Sequence, residues 1–489
     1  MGRLKTGVQG LDEILGGGLQ QGSSYMIVGG PGTGKTILSL QICMERVREG
    51  ERPVYIAVSE PLSSVKKTAE SLMFNIDGIV FEDVQTYQTV PEISREDYDV
   101  FHFDEVEARP VWEGIWEVLE RHKPSFLVID SATVLHLISA DEYQFRRHFH
   151  DLINRLSVAG CTSLFLYDSG VYEQESSVAI VVDSVIRLRA KVSEQRVITI
   201  RTLEVEKARY THHMSGFHAF RITGDGVKVY PHHVLKQPEE TLPGGLITSR
   251  IDGLDELLGG GLETGTCTIL TGPTGVGKST LAVEFGIGNC RSGKRTVIYT
   301  FEESKGSMLE RQRGIGSPID KYMETGHLSI RHVNPLELYP DEFFALVERE
   351  IESGCELVVL DSLRGYELSM GEFGNLRAHI QNLVNLVRRK GKTLIMVNEV
   401  EKLTGVLQIT ELGTSYLSDI IIMLRYAEVN GEIIKVVSCI KKRHSGYLPE
   451  LRRFNIDERG ITVGEKMENM RGVLTGIPTF VDSNSSQNI

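Results

Sequence analysis

Two short stretches of the chain share one spacing of glycine, lysine and hydroxyl. GGPGTGKT occupies residues 29–36 and GPTGVGKS residues 272–279, and both fit G-x-x-x-x-G-K-[ST]. Glycines at these places let successive backbone N–H groups turn inward around phosphate oxygens. The helix that follows adds the positive end of its dipole. The expected nucleotide cradles are Gly29, Gly32, Thr33, Gly34, Lys35 and Thr36 in the first copy. In the second they are Gly272, Thr274, Gly275, Val276, Gly277, Lys278, Ser279 and Thr280. Lys35 and Lys278 should reach the β- and γ-phosphates of ATP, and Thr36 and Ser279 should hold Mg2+. Each motif directly follows a strand-like run and precedes a helix-like one, which is the context it needs.

Carboxylates stand where such a site would use them. Asp130 and Asp361 end the apolar runs FLVID and LVVLD. A carboxylate at a strand's C-terminal end lies at the crevice where parallel sheets bind ligands, so both are expected to orient Mg2+. The run VIYTFEES puts Glu302 and Glu303 at the next strand end, placed to take a proton from the attacking water or hydroxyl. The first copy reads VYIAVSEP, with Ser59 in the place of Glu302 and only Glu60 remaining. Serine is a poor base, so the first copy should turn ATP over slowly or simply hold it. Two basic pairs complete the set. Lys207 with Arg209 and Lys441 with Arg443 are spaced i, i+2 on strand-like runs, which puts each pair on one face. Such a pair either clamps a phosphate or decorates a solvated edge strand.

Stepping from the motifs to the elements that must hold them, the whole arrangement is duplicated. GLDEILGGGL at 10–19 returns as GLDELLGGGL at 253–262, and FLVIDS at 126–131 answers LVVLDS at 357–362. A period this long is two copies of one domain rather than a solenoid. Within each copy short apolar, β-branched runs alternate with helical patterns: SYMIVGG, PVYIAVS, SFLVID and TSLFLYD, then CTILTG, TVIYTF, ELVVLD and TLIMVN. This predicts an α/β fold twice over, each a mostly parallel sheet flanked by helices. The expected boundaries are a first domain over 1–235, a linker over 236–246, a second domain over 247–475 and a tail over 476–489.

One stretch has no scaffold reason to be polar. GTSYLSD (413–419) stands against SVAIVVD when Asp419 is aligned with Asp183, so Thr414, Ser415, Tyr416 and Ser418 replace Val178, Ala179, Ile180 and Val182. The fold accepts apolar side chains there, so the hydroxyls either accept a phosphoryl group or make ordinary hydrogen bonds at the start of a strand.

Composition bounds the classes. The chain has 489 residues, 41% hydrophobic and 24% charged, which is globular and long enough for two to four domains at roughly 100–200 residues each. A formal net charge of −13 argues against nucleic acid as an obligatory partner. Six widely spaced cysteines without a C-x-x-C pair read as reduced thiols rather than a disulfide framework or zinc site. No secretory core and no 18-residue apolar run is visible, so the expected location is the cytoplasm, without a membrane partner.

Taken together these residues closely resemble the KaiC family. The marks are the repeated GLDE opening, both P-loops, the FEES glutamates, the paired Lys/Arg and the closing FRITGDG and FNIDERG. The resemblance covers nearly the whole chain. It implies two fused RecA-like ATPase domains, a double-ring homohexamer with ATP between adjacent subunits, ATP hydrolysis in the first ring, and serine/threonine autokinase and autophosphatase activity in the second. Glu302 would be the general base with Glu303 assisting. The pairs Lys441 with Arg443 and Lys207 with Arg209 would act across the subunit interface. Family phosphoacceptors, an adjacent Ser-Thr pair four and three residues before the aspartate, fall on Ser415 and Tyr416; tyrosine departs from the pattern, its hydroxyl standing further out. The short C-terminal segment argues against control by KaiA and leaves room for a KaiB-like or signalling partner. Two other readings stay open: a RecA- or RadA-type DNA-dependent ATPase, and a nucleotide-locked signalling scaffold with little turnover.

Overall fold

Strands Ser24–Gly29 and Cys267–Gly272, which lead into the P-loops, are buried along their entire length. Such strands carry no polar face, so each needs a paired strand on both edges and helices on both sides. The computed structural model supplies this twice. It describes residues 2–84, 103–139, 141–174, 176–194, 198–236, 244–371, 373, 375–400, 416–429, 431–468, 470–471 and 479–480. The chain divides into two units, Met1–His232 and His233–Ile489.

In the first unit a nine-stranded sheet runs, from one edge to the other, Gly226–Tyr230, His218–Thr223, Thr199–Ala208, Ser184–Val192, Ser24–Gly29, Thr162–Tyr167, Phe126–Asp130, Val54–Ala57, Val80–Asp83. From Ser184–Val192 onward the neighbours are parallel; the three strands before it are antiparallel. The second unit repeats the order strand for strand. Its Gly460–Lys466, Arg452–Asp457, Glu432–Lys442 and Ile420–Val429 lead to Cys267–Gly272, then Thr393–Glu399, Cys355–Asp361, Arg295–Thr300 and Leu328–His332. Apolar clusters lie on both faces of each sheet. In the second unit Leu281, Phe285 and Ile298 belong to one, and Phe343, Leu383 and Met396 to the other. The α/β fold read from the alternating runs is the observed one, and all eight quoted runs contain or overlap sheet strands. No helix among the described residues is long and apolar enough to cross a membrane.

Residues 233–236, which the sequence assigns to the end of the first domain and the start of the linker, hydrogen-bond to the second unit's helix Leu376–Arg389. Asn382 Nδ2 donates to His233 O at 2.7 Å, Asn385 Nδ2 to Leu235 O at 2.9 Å and Arg389 Nη2 to Lys236 O at 2.8 Å. Asparagines on an amphipathic helix give no hint of such a partner until the chain lies across them.

The glycine turn after each GLDE helix shows how two different sequences satisfy one backbone. In the first unit Arg3 Nη1 donates to Leu15 O at 3.3 Å and Gly18 O at 3.1 Å. In the second unit Lys442 Nζ donates to the matching carbonyls, Leu258 O and, at 3.2 Å, Gly261 O. The Lys442 side chain is fully buried and lies 3.8 Å from Glu263, itself 4% exposed. Gln20 and Ala208 hold the corresponding positions of the first unit. Removing one member of a buried ion pair leaves the other uncompensated, at about 3–5 kcal/mol. Lys442→Met should therefore destabilise the chain by about 3 kcal/mol. Glu263→Gln, which leaves the buried ammonium without its counter-charge, should cost a similar amount in urea unfolding.

Candidate functional site

Each P-loop is the hinge between a buried strand and a fourteen-residue helix, Lys35–Arg48 or Lys278–Arg291. Gly34 and Gly277 stand at the hinge with φ of +101° and +116°, in the left-handed region. A Cβ on Gly277 would come within 2.5 Å of Ile456 Cδ1, and one on Gly34 within 2.8 Å of Ile222 Cδ1. The positive φ is the stronger bar to a side chain, since an isoleucine tip can move aside, and glycine leaves the N–H groups of the loop free to face a ligand. The Val276 side chain is buried in the apolar core, so its backbone alone could meet a phosphate. Thr33 Oγ1 closes the first loop on Gly30 O at 2.8 Å. Lys35 Nζ donates to Gly29 O at 2.6 Å and Gly30 O at 3.1 Å, and Lys278 Nζ to Pro273 O at 2.7 Å. Burial pushes both ammonium groups below the ordinary lysine range.

The strand-end carboxylates gather at the same edge. Thr36 Oγ1 donates to Asp130 Oδ2 and Ser279 Oγ to Asp361 Oδ1, both at 3.0 Å. A hydroxyl and a carboxylate side by side at the mouth of a phosphate cradle form the oxygen donor set that Mg2+ takes. The two aspartates differ in support. Tyr55 OH also donates to Asp130 Oδ2, whereas the register puts Ile298 at that position in the second unit. Burial raises the Asp361 carboxyl to about 6, against the Ser279 hydrogen bond.

The glutamates divide the work differently in the two units. Val58 N donates to Asp130 O, and Phe301 N to Asp361 O. This aligns Ser59 with Glu302 and Glu60 with Glu303. Glu302 accepts from Ser362 Oγ at 3.2 Å and faces the pocket, where its charge acts on Lys278. Glu303, expected to assist it, is taken up by Arg311 through two bonds of 2.8 and 2.7 Å and by Ser307 Oγ at 3.0 Å. In the first unit Thr68 stands at Arg311's place on the matching helix, Leu62–Ser71, and Glu60 is the glutamate whose charge acts on Lys35. One substitution removes the first glutamate, and another releases the second to the pocket.

The basic pairs lie elsewhere. Lys207 and Lys441 face Val185 and Ile421, which pair with Met26 and Ile269 near the start of the P-loop strands. That is about 10 Å along the strand from Gly29 and Gly272, at the opposite edge of the sheet. There each pair grips the chain entering the next strand. Lys207 Nζ donates to Val182 O and Ala179 O, both at 2.6 Å, and Arg209 Nη2 to Ile180 O at 3.1 Å. Lys441 Nζ donates to Ser418 O at 2.6 Å and Arg443 Nη2 to Tyr416 O at 3.4 Å. Tyr416 is 55% exposed and Ser418 buried; Thr414 and Ser415 lie outside the described residues. Asp419 anchors this loop beneath: Arg388 Nη2 reaches it at 2.8 Å and Cys267 N donates to it at 2.9 Å.

Two acids that the motifs did not single out stand against the P-loops. Asp168 and Glu399 end the strands next to Ser24–Gly29 and Cys267–Gly272. The only sequence signal was an acid closing TSLFLYD, and its counterpart one residue beyond TLIMVN.

With this geometry in hand, comparison with known proteins is decisive. A family model described as "ATPase: KaiC" matches residues 4–234 and again 247–468. The chain belongs to the KaiC ATPase family. It is 27% identical over 487 residues to the circadian clock oscillator protein KaiC of Rippkaea orientalis, covering 98% of this chain and 92% of that one. It is 26% identical to KaiC3 of Synechocystis, at 98% and 95% coverage, and 26% identical to KaiC of Synechococcus elongatus, at 98% and 92%. The KaiC domain is therefore present twice, with each P-loop inside one copy.

The raised Asp361 carboxyl has a consequence for the metal-free protein. The folded state keeps this proton up to about pH 6, while the unfolded chain loses it near pH 4, so the group's contribution to stability falls as pH rises between the two values. Asp361→Asn should be more stable than the parent at neutral pH, with an advantage that grows by about 1 kcal/mol from pH 5 to pH 7 in thermal or urea unfolding without Mg2+.

Proposed function

We propose that this KaiC-family ATPase works as a homohexamer in which the second domain phosphorylates Ser415 from ATP and later removes the phosphate, a phosphorylation-dependent switch of the kind its clock-protein relatives are named for. The observation that carries the reading is the separation of cations. In each unit the P-loop lysine, the strand-end carboxylates and the hydroxyl sit at one edge of the sheet, and the Lys/Arg pair with its loop sits at the other. No motion within a rigid sheet brings the two edges together, whereas a neighbouring copy set edge to edge does.

The chemistry follows from the charges. ATP phosphates enter the cradle of backbone N–H groups, and Lys278 meets the β- and γ-oxygens. Thr36 with Asp130, and Ser279 with Asp361, would hold Mg2+, which neutralises charge on the phosphates and aligns them. Glu302 of one copy takes the proton of the neighbour's Ser415 hydroxyl; the Ser415 oxygen bonds to the γ-phosphorus as the bond to the bridging oxygen breaks, and ADP leaves. Lys441 and Arg443, attached to the acceptor loop, arrive with the hydroxyl and offset the charge on the transferring group. Tyr416 occupies the position of Ile180, which is 67% exposed in the first unit, so a large exposed side chain stands there whether or not it carries a hydroxyl. In the first domain Glu60 orients water at the γ-phosphate, and Lys207 with Arg209 serve the neighbour's pocket. The protein is read as cytoplasmic, without nucleic acid or membrane as partner, and a KaiB-like protein at the first ring is the partner this reading allows.

Two measurements test this. Incubation with γ-labelled ATP should label the parent, and Ser415→Ala should lose nine-tenths or more of the label; equal labelling overturns the assignment. Lys278→Ala and the Lys441→Ala/Arg443→Ala double variant should each lack autokinase activity and regain a measurable part of it when mixed and reassembled. Absence of recovery would show that pocket and cations belong to one chain.

A further inference from the structure

The strand immediately beside each P-loop strand ends in, or one residue before, an acid. Thr162–Tyr167 lies parallel to Ser24–Gly29 with Tyr167 beside Val28, so Asp168 comes level with Gly29. Thr393–Glu399 lies parallel to Cys267–Gly272 with Glu399 beside Gly272. The repeat has thus put a carboxylate next to the first glycine of the loop twice. These acids are distinct from the glutamates at 302 and 303, whose strand, Arg295–Thr300, lies two strands further out.

Both acids are built into their pockets. Glu399 accepts a hydrogen bond from Thr274 Oγ1, on the loop itself. Asp168 is held in a tight turn, with Gly170 N donating to Oδ1 at 2.8 Å and its own N donating to Thr133 Oγ1 at 2.8 Å. A Cβ on Gly30 would stand 3.5 Å from Ser169 Oγ, so this turn packs against the P-loop. Among the carboxylates that counter burial of the loop lysines, Asp168 acts most strongly on Lys35 and Glu399 on Lys278, ahead of the aspartates at the Mg2+ position.

The charge balance then depends on the nucleotide. A diphosphate leaves the lysine, which donates to loop carbonyls, in the field of the neighbouring carboxylate. A terminal phosphate brings a further negative group to the same ammonium, and it and the carboxylate repel one another. We propose that Asp168 and Glu399 are γ-phosphate discriminators, strand-end carboxylates that compete with the terminal phosphate for the P-loop lysine and bias each pocket toward ADP. The proposal rests on the nucleotide-handling role given above and adds a specificity determinant to it. It gives the pocket a means to release strain by transferring the γ-phosphate, to water or to a hydroxyl, and to retain ADP afterwards.

The test uses the full chain with Glu399→Gln, which keeps a carbonyl oxygen for Thr274 and removes only the charge. Affinities for Mg·ADP and for the Mg complex of a β,γ-imido ATP analogue are measured by displacement of a fluorescent ADP. The triphosphate-to-diphosphate affinity ratio of the second pocket should rise about tenfold, and Glu399→Asp should restore the parent ratio. An unchanged ratio with ADP binding intact, or an equal change for both nucleotides, overturns the proposal and leaves the ATPase reading standing. A parent that binds neither nucleotide overturns both. Asp168→Asn carries the same expectation in the first pocket, so a folding failure of one variant does not shield the idea.

Discussion

A parallel sheet has two chemically different edges, and the working parts of this protein are distributed between them. All strands of the parallel set end at one edge, where a chain turning into a helix leaves N–H groups unpaired and a positive dipole end exposed. Phosphate chemistry belongs there, and the P-loops, Asp130, Asp361, Glu302 and the strand-end acids Asp168 and Glu399 all collect at that edge. The strands begin at the other edge, where the loops before Ser184–Val192 and Ile420–Val429 are gripped by lysine and arginine from the antiparallel extension. The extension is what makes this possible: an antiparallel neighbour runs back to the starting edge and delivers its last residues there.

The duplication offers a comparison that a single domain lacks. Where the two units agree, the fold or the chemistry common to both requires it: hinge glycines, the hydroxyl–aspartate contact, the basic pair on its carbonyls. Where they differ, some changes are compensated nearby and others are not. Loss of Glu302's equivalent to Ser59 accompanies loss of Arg311's equivalent to Thr68, which leaves Glu60 to act on the pocket. Tyr55 steadies Asp130, while Ile298 donates nothing to Asp361, whose carboxyl is correspondingly raised by burial. Arg3 and Lys442, from opposite ends of their units, hold the same two carbonyls of the glycine turn. Coupled replacements of this kind mark sites where a charge or donor is required and its source is not.

The core of both units was legible because its strands are continuous apolar runs, a pattern that leaves little choice but burial on both faces. The P-loops were legible because their spacing is set by backbone turns around a phosphate and depends on residues adjacent in the chain. Less local features were hidden. TLIMVN read as a strand, yet nothing in it said that the following Glu399 would stand beside Gly272 rather than in solvent. FEES reads as a base, Glu302, with Glu303 assisting; only the fold shows a helix bringing Arg311 back onto the second of them. Asn382 and Asn385 lie on an amphipathic helix, and only the fold lays residues 233–236 across them.

By itself, then, the sequence determined the duplication, the α/β class, the P-loop spacing and the family, since each rests on residues near one another in the chain or on a long repeat. Only the tertiary structure decided which carboxylate faces which lysine, which glutamate is withdrawn into an ion pair, and that the cations stand at the far edge of the sheet from the pocket of their own unit. Electrostatic roles depend on distances of a few ångströms between strands far apart in sequence, and those distances exist only after strand order and register are set.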